Sequence, residues 1–341
     1  MAVMKSHHRV LEPVLRLLYL LWAFTESDLL TFVIPNSLFG LFSALALPAL
    51  VDAPPVSGVT ASSILLRMPL VVLFNVGNLL IFDLSNQRSP SSILEDSINK
   101  PWRPIPSGRV TARAARRALL AAIPLVLALS YSLGVAPQSA AIMLLAWMYN
   151  DLQGGDEAVV REAIIAFGYA AFNWGSLEVA LGATTTITTT ARVADYNYCY
   201  GNGNGNGPMD GGLMGASSRG FVWTAMISGV IFTTMQVQDL KDQEGDKTRG
   251  RKTIALFLGE EFSRCSIAGF VCFWTCVCSH FWQLSPLAFA AFAVTAVVVV
   301  LRVLLVRWSP WEDAKTWKWW CLWHSTLYLM PLVSLAEKRL R

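Results

Sequence analysis

Apolar segments of about 20 residues recur along the whole chain, and this feature limits the possible folds more than any other. A helical segment of that length can cross the roughly 30 Å hydrocarbon layer of a membrane. Only 15% of the 341 residues are charged and 54% are hydrophobic, whereas soluble domains usually carry about 25% charge. The sequence therefore excludes a soluble enzyme, a disordered chain and a small disulfide-stapled domain. It predicts an all-α, polytopic membrane protein.

The hydropathy pattern predicts about nine spanning helices in a single domain that covers residues 1–341. The basic segment 1–26 is predicted to lie at the cytoplasmic membrane surface, because its apolar stretch is too short to span. Segment 183–218 is rich in Thr, Gly and Asn, so it is predicted to be a flexible loop on the opposite side. The predicted spans lie near residues 29–50, 61–82, 117–135, 138–150, 159–182, 219–237, 255–282, 285–306 and 316–335.

Lys and Arg residues gather in alternate loops, and the intervening loops VDAPPVSGVTASS, LGVAPQS and QLSP contain neither. By the positive-inside rule the basic loops face the cytoplasm. The expected location is the endoplasmic reticulum or another internal membrane if the source is eukaryotic. The basic residues are expected to meet lipid and not nucleic acid. A tryptophan-rich stretch near residues 308–323 is predicted to form an aromatic belt at the membrane interface.

Three aspartates follow the predicted sixth span, in what we call the second acidic segment (residues 239–253). Asp239, Asp242 and Asp246 stand at positions i, i+3 and i+7, so a continuous helix would place them in one stripe. Neighbouring like charges repel, and a bound divalent cation would compensate them. Oxygen ligands with space left for water and phosphate suit Mg²⁺. The alternative is an ordinary solvated helix end, because Lys and Arg residues are interleaved with the acids.

A polar stripe also lies in the predicted second span. Asn75, Asn78 and Asn86 stand at positions i, i+3 and i+11, with Asp83 at the margin of the same helical face. Amides and a carboxylate on an otherwise apolar helix are expected to face a cavity or a site, and not lipid.

The first acidic segment (residues 83–103) combines this stripe with the charges that follow it. Asp96 is followed by Lys100 and Arg103, which offers a carboxylate for a metal and cations for phosphate. Both acidic segments fall on the predicted cytoplasmic side, where together they would hold Mg²⁺ ions that bridge a diphosphate. A diphosphate at the mouth of an apolar chamber indicates an isoprenoid diphosphate, which would leave an allylic carbocation in a water-free pocket. A transporter is disfavoured, because its polar residues would lie near the membrane midplane.

Two strings in these segments carry a family resemblance. DLKDQEGDKTRGRKT and DSINKPWRPIPSG resemble the Asp-rich motifs of the UbiA superfamily of intramembrane prenyltransferases. The resemblance extends to the span layout, and it gives Asp96 the place of the last aspartate in the first motif. Ser92 and Arg88 stand where that motif has Asp and Asn, so Asp83 and Asn86 are candidates to replace them, with Glu95 as a further one. This departure resembles a fungal secondary-metabolism branch that contains both aromatic prenyltransferases and UbiA-type terpene cyclases.

The resemblance implies a helical bundle around a central cavity whose mouth faces the cytoplasm, and it implies Mg²⁺ as the cofactor. The expected reaction is transfer of a prenyl group from an isoprenoid diphosphate to a small aromatic acceptor, and the alternative is intramolecular cyclisation to a terpene. The expected metal-binding and catalytic residues are Asp83, Asn86, Asp96, Asp239, Asp242 and Asp246. The residues expected to bind the diphosphate are Lys100, Arg103, Lys241, Arg249, Lys252 and Tyr149. The residues expected at the cavity or the acceptor are Asn75, Asn78 and Asn173.

Overall fold

The computed structural model describes residues 2–50, 59–182, 218–307 and 309–340, and every long element in these ranges is a helix. The helices are α1 (Ala2–Asp28), α2 (Ile34–Leu45), α3 (Leu47–Leu50), α4 (Ala61–Gln87), α5 (Pro90–Asn99), α6 (Ala112–Ser132), α7 (Ala136–Asn150), α8 (Ala158–Leu181), α9 (Ser218–Thr234), α10 (Gln243–Arg249), α11 (Ile254–Phe257), α12 (Glu260–Phe281), α13 (Pro286–Leu305), α14 (Pro310–Leu327) and α15 (Met330–Leu340). Short π-helical or 3₁₀ turns occupy Leu29–Val33, Gly154–Asp156 and Met235–Leu240.

Helices long and apolar enough to cross a membrane number seven in the described part of the chain. This finding confirms the prediction of an all-α, multi-pass membrane protein. The predicted total of nine spans is not confirmed, because α7 and α14 fall short. Helix α7 has 15 residues, which is about 22 Å at 1.5 Å per residue, and α14 carries two acids and two lysines. The seven segments are Leu15–Leu45, Ala61–Gln87, Ala112–Ser132, Ala158–Leu181, Arg219–Leu240, Glu260–Phe281 and Pro286–Leu305.

The first span is one helical path that runs from α1 through a π-helical turn into α2. The boundary predicted at residue 26 does not coincide with a helix end, because two apolar stretches join into one run. The turn begins after Asp28 and precedes Pro35, which has no N–H to donate to Thr31. The freed Thr31 carbonyl instead accepts a hydrogen bond from the Tyr169 hydroxyl. The loop predicted for residues 183–218 lies outside the described residues, except that Ser218 begins α9.

Helix α8 lies at the centre of the bundle and packs against α2, α4, α7 and α9. Its contact with α2 is close, since a Cβ atom on Gly40 would lie 2.7 Å from the Ser176 carbonyl oxygen. Small residues at such crossings let helix backbones approach each other in membranes. Gly175 on α8 likewise leaves space for the ring of Phe74 on α4. The central helix therefore holds its neighbours at fixed short distances.

The prediction of an aromatic belt is wrong for three tryptophans on α14. Trp320 and Trp323 are completely buried and Trp317 is nearly so, whereas Trp311 and Trp319 are exposed. The buried three recur every third residue and therefore share one helical face, which is turned toward the bundle. Their neighbours also satisfy the indole N–H groups, since Trp320 and Trp323 each donate at 3.0 Å to a threonine hydroxyl. Trp308 lies outside the described residues.

Candidate active site

The first acidic segment closes around one buried arginine. Arg103 donates to both carboxylate oxygens of Asp96, at 3.0 and 3.1 Å, and to Asp28 at 2.8 Å. The arginine is only 4% exposed and Asp96 only 2%. Asp83 at the end of α4 is also buried, and its carboxyl group lies close enough to that of Asp28 to interact with it. The arginine thus holds carboxylates from α1 and α5 beside the end of α4.

Residues 88–99 of the first acidic segment form a turn and a new helix. Ser89 caps α5 by accepting a hydrogen bond from the Ser92 backbone N–H at 3.1 Å, and Pro90 occupies the first turn. Asn86 lies in the last turn of α4 and donates to the Asn150 side chain at 2.8 Å. The chain therefore turns between α4 and α5, so Asp83 and Asp96 lie on different helices.

The second acidic segment is not a continuous α-helix, which corrects the expectation of a single carboxylate stripe. Asp239 lies in a 3₁₀ turn, Asp242 follows that turn, and Asp246 lies in the short helix α10. The break lets each carboxylate meet its own cation, so that the like charges need not share one face. The pairs are Asp239 with Arg161 at 2.7 Å, Asp242 with Lys241, and Asp246 with Arg251 at 3.0 Å.

Asn99 and its neighbours join the two acidic segments. The Asn99 amide donates to the Asp242 carbonyl at 2.9 Å and accepts from the Gly245 backbone N–H at 3.1 Å. A Cβ atom on Gly245 would lie 2.2 Å from the Asn99 amide nitrogen, so this contact requires glycine. Glu95 adds ion pairs to Arg249 at 3.0 Å and Arg251 at 3.1 Å. The structure therefore brings the two segments together, as their charges led us to expect.

The cations predicted to bind phosphate do not all lie in one place. Lys100 interacts electrostatically with Asp28 and Asp96, the two carboxylates bound by Arg103, and with Asp242 of the second acidic segment. It therefore lies between these two groups of carboxylates. Lys241 interacts with both Asp28 and Asp242, and it is likewise between the segments.

The remaining predicted phosphate binders occupy other positions. Arg249 is paired with Asp156 at 2.7 Å as well as with Glu95. Lys252 is 58% exposed and pairs with the equally exposed Glu157, so the structure does not bring it into the cluster. Tyr149 is buried at the end of α7 and interacts with Arg251.

The surroundings of the second acidic segment shift the pKa values of two of its carboxylates in opposite directions. Burial, reinforced by the nearby Asp239, raises the pKa of Asp246 to about 8. Partial burial alone would raise the pKa of Asp242, but Lys241 and Lys100 outweigh it and lower that pKa below its ordinary value. In the metal-free protein Asp246 therefore takes up a proton more readily than Asp242 does.

The donor set fits Mg²⁺ that shares its ligands with a phosphate group. One carboxylate oxygen of Asp83 and one of Asp246 are buried and have no hydrogen-bond partner among the described residues, and buried oxygens of this kind favour a cation. Within the described residues, no three His, Cys, Asp or Glu side chains are close enough to hold a metal by themselves. Mg²⁺ in proteins usually takes one or two carboxylates and completes its shell with water and phosphate oxygens.

Asn75 and Asn78, expected at the cavity or the acceptor, hold helices together instead. The Asn75 amide donates to the hydroxyls of Ser37 on α2 at 3.0 Å and Ser176 on α8 at 2.9 Å. Asn78 accepts from the Ser139 hydroxyl on α7 at 2.6 Å. Both asparagines are completely buried. Inter-helical hydrogen bonds of this kind are typical of membrane bundles, and they use the groups that an acceptor would have needed.

A continuous series of rings leads from the charged cluster into the bundle. Neighbouring ring centroids in it lie between 4.7 and 6.2 Å apart. Asn173 on α8 lies beside its far end, next to the Tyr328 hydroxyl, but neither amide atom makes a well-formed hydrogen bond within the described part of the chain. We call this series the aromatic row, and its members are Tyr149, Phe82, Phe32, Tyr169, His324 and Tyr328.

Sequence reasoning missed three charged residues of the cluster. Asp28 and Arg161 were visible as charged residues at predicted spans, in TESDLLTF and VVREAI, and charged residues within a membrane usually have a function. Arg251 was assigned to membrane topology together with the other basic residues of its loop. All three form ion pairs in the cluster.

The sequence of this chain is similar to those of several known proteins. The model of the UbiA prenyltransferase family matches residues 91–326. The diterpene cyclase eriG of Hericium erinaceus is 28% identical over 82% of this chain and 77% of that protein. The fumagillin beta-trans-bergamotene synthase af520 of Aspergillus fumigatus is 32% identical over 60% of this chain and 59% of its own length. The polyprenyl transferase eriF of Hericium erinaceus is 26% identical over 71% and 69% of the two chains.

A solved structure shares the fold at low sequence identity. It is a UbiA homolog from Archaeoglobus fulgidus bound to GPP and Mg²⁺, with a TM-score of 0.53 and 13% identity. The match covers 93% of this chain and 99% of the homolog. It supports the helical-bundle fold.

Proposed function

The chain belongs to the UbiA prenyltransferase family, and we propose that it is a terpene cyclase that ionises an isoprenoid diphosphate and closes the resulting cation on its own double bonds. Family membership supports isoprenoid chemistry at the two acidic segments. One observation carries the cyclisation step: the interior next to the cluster is lined by the rings of the aromatic row, with the Asn173 amide beside its far end. The mouth of the site would face the cytoplasm, because the basic loops are predicted to lie on that side of the membrane.

The ionisation step would use the two acidic segments from opposite sides. Asp83 and Asp246 would hold Mg²⁺ through the carboxylate oxygens that have no partner, with Asp96, Asp239 and Asp242 completing the acidic surroundings. Bound Mg²⁺ would supply neutralisation of the charge that develops on the departing diphosphate. A related fold in the Archaeoglobus homolog binds GPP and Mg²⁺, which supports this arrangement.

The cations of the site would bind the diphosphate itself. Lys100 and Lys241 lie between the acidic segments and would each release a carboxylate to contact a phosphate oxygen. Arg103 and Arg161 are bound by carboxylates and buried, so their role is to fix those carboxylates in place. An ion pair exchanged for a phosphate contact keeps every charge compensated in a buried site.

The hydrocarbon part of the substrate would lie along the aromatic row. Ring faces attract a carbocation and contribute roughly 0.5–2 kcal/mol each. Exclusion of water by the packed helices would prevent premature capture of the cation. The row begins at Tyr149, which interacts with Arg251 of the charged cluster, so a chain bound there would extend inward from its diphosphate.

Hydrogen bonds inside the bundle give further support for cyclisation over transfer to an aromatic acceptor. Asn75 and Asn78, which would orient a phenol, are occupied in hydrogen bonds between helices. Glu178 accepts from Gln138 at 2.7 Å and Trp174 at 2.9 Å, so it is occupied as well. The similarity to the diterpene cyclase and to the bergamotene synthase supports the same reading. Transfer to an acceptor stays the second candidate, because the polyprenyl transferase eriF is also similar.

Incubation with and without an acceptor separates the two reactions. Membranes that contain the protein are expected to convert farnesyl or geranylgeranyl diphosphate to a cyclic hydrocarbon or alcohol without any added acceptor, as detected by gas chromatography and mass spectrometry. Addition of a phenolic acid should leave the product and its rate unchanged. Membranes that carry the Asp242→Asn variant serve as the control. A prenylated phenol formed only when the acceptor is present would overturn the cyclase proposal in favour of transfer.

A further inference from the structure

A completely buried histidine lies inside the bundle, among the rings of the aromatic row. The His324 ring stacks on Trp320 with centroids 5.0 Å apart and planes inclined by 7°, and Tyr169 meets its edge at 5.8 Å. Its Nε2 atom is 2.7 Å from the Tyr328 hydroxyl oxygen. The two residues are four apart on the chain, and both are 0% exposed. The imidazole is therefore held in one orientation by two rings and one hydrogen bond.

The other ring nitrogen of His324, Nδ1, is buried and makes no hydrogen bond to any described residue. A neutral imidazole carries its proton on one nitrogen and a lone pair on the other. We take the tautomer in which Nε2 donates to the Tyr328 hydroxyl, which leaves the lone pair on Nδ1.

This lone pair lies where the substrate chain is proposed to run. The aromatic row connects Tyr149, beside the charged cluster, to His324 through Phe82, Phe32 and Tyr169 in ring-to-ring steps. A hydrocarbon chain along the row would reach the imidazole at the end remote from its diphosphate. An imidazole nitrogen is the basic atom at that depth, because the row otherwise presents phenylalanine rings and tyrosine hydroxyls.

We infer that His324 is the base that ends the cyclisation, with Tyr328 as the residue that positions it. This inference rests on the proposed cyclase function. In the terminating step the Nδ1 lone pair forms a bond to a proton next to the cationic carbon. The C–H bond breaks, and its electron pair becomes the new C=C bond of the product. The imidazolium then returns its proton to water as the product leaves, so no oxidant or reductant is needed.

The test compares the products of the His324→Gln variant with those of the wild type. Glutamine keeps a polar side chain but is not basic, so ionisation should continue while the final deprotonation fails. Release of diphosphate from geranylgeranyl or farnesyl diphosphate is expected to stay within about threefold of wild type. The share of the wild-type olefin should fall at least about tenfold, replaced by other olefins or by alcohols from water capture. The control is His280→Gln, the same change at an exposed histidine.

A second variant keeps the test decisive if His324→Gln does not fold. Tyr328→Phe removes only the hydroxyl that holds Nε2, and it is expected to shift the olefin ratio in the same direction. Tyr131→Phe, at an exposed position, should leave the ratio unchanged. The wild-type product mixture from both His324→Gln and Tyr328→Phe would overturn the inference, as would loss of diphosphate release in folded His324→Gln. Failure of the cyclase proposal is distinguishable, because the wild type itself would then form no product without an acceptor.

Discussion

Replacement of Asp246 by asparagine is expected to lower turnover by about 10³-fold or more, while the protein stays folded. The loss corresponds to roughly 4 kcal/mol of transition-state stabilisation, which is within the range of a lost metal contact. Folding should survive because burial and the nearby Asp239 raise the pKa of Asp246, so the metal-free fold tolerates a neutral group at this position. An asparagine amide closely matches a neutral carboxylic acid in shape, and its oxygen still accepts from Arg251. The measurement is the initial rate of diphosphate release at saturating Mg²⁺.

The control for this variant is an exposed carboxylate outside the two acidic segments. Glu157→Gln makes the same change from acid to amide in an exposed pair with Lys252, and its rate should match that of the wild type. Asp242→Asn should lose activity as Asp246→Asn does. A rate for Asp246→Asn within a few-fold of the control would remove this residue from the metal site.

Replacement of Arg161 by methionine is expected to cause the largest loss of stability in the cluster. Arg161 is buried and contacts two buried carboxylates, Asp239 at 2.7 Å and Glu162 at 2.6 Å. Removal of one partner from a buried ion pair typically costs about 3–5 kcal/mol, because the remaining charge stays uncompensated. Thermal unfolding of the purified protein in detergent, without added metal, measures the effect.

A double variant separates stability from activity at this position. Arg161→Met combined with Asp239→Leu replaces the pair with apolar side chains, which often restores stability in buried sites. We expect the unfolding temperature to recover only in part, because Glu162 stays buried without its cation, while the enzyme stays inactive because Asp239 is lost. The control is Arg88→Met, whose partly exposed pair with Asp151 should contribute at most about 1 kcal/mol. An unfolding temperature for Arg161→Met equal to that of Arg88→Met would contradict the assigned role of this buried pair.

The sequence was sufficient to predict the class of fold, because membrane spans are determined by the length and polarity of single segments. Helices occupy each of the regions predicted to span, including α7 and α14. Pattern alone could not predict that α7 has only 15 residues or that the π-helical turn after Asp28 joins two apolar stretches. The burial of Trp320 and Trp323 depends on which face of α14 meets the bundle, and composition does not record that.

The sequence predicted which acidic residues the structure brings together, but not which cations pair with them. Asp239, Asp242 and Asp246 were recognisable because their spacing concentrates like charges. Their cations could not be assigned in the same way, since Arg161 lies 78 residues from Asp239 in the chain and only the packing of α8 brings them together. Asn75 and Asn78 are buried, as predicted. The sequence pattern could not show whether they face a cavity or the serines of neighbouring helices, because a polar stripe is the same in both cases.

The most direct test of the account is the dependence of diphosphate release on Mg²⁺ in the purified wild-type protein. Geranyl, farnesyl and geranylgeranyl diphosphate are each incubated with the protein in lipid nanodiscs, without an acceptor, after removal of metal with EDTA and again after Mg²⁺ is restored. We expect inorganic diphosphate to be released from at least one of them only when Mg²⁺ is present. Equal release in EDTA, or no release from any of the three with Mg²⁺, would contradict the assignment of the two acidic segments as a site of metal-assisted diphosphate ionisation.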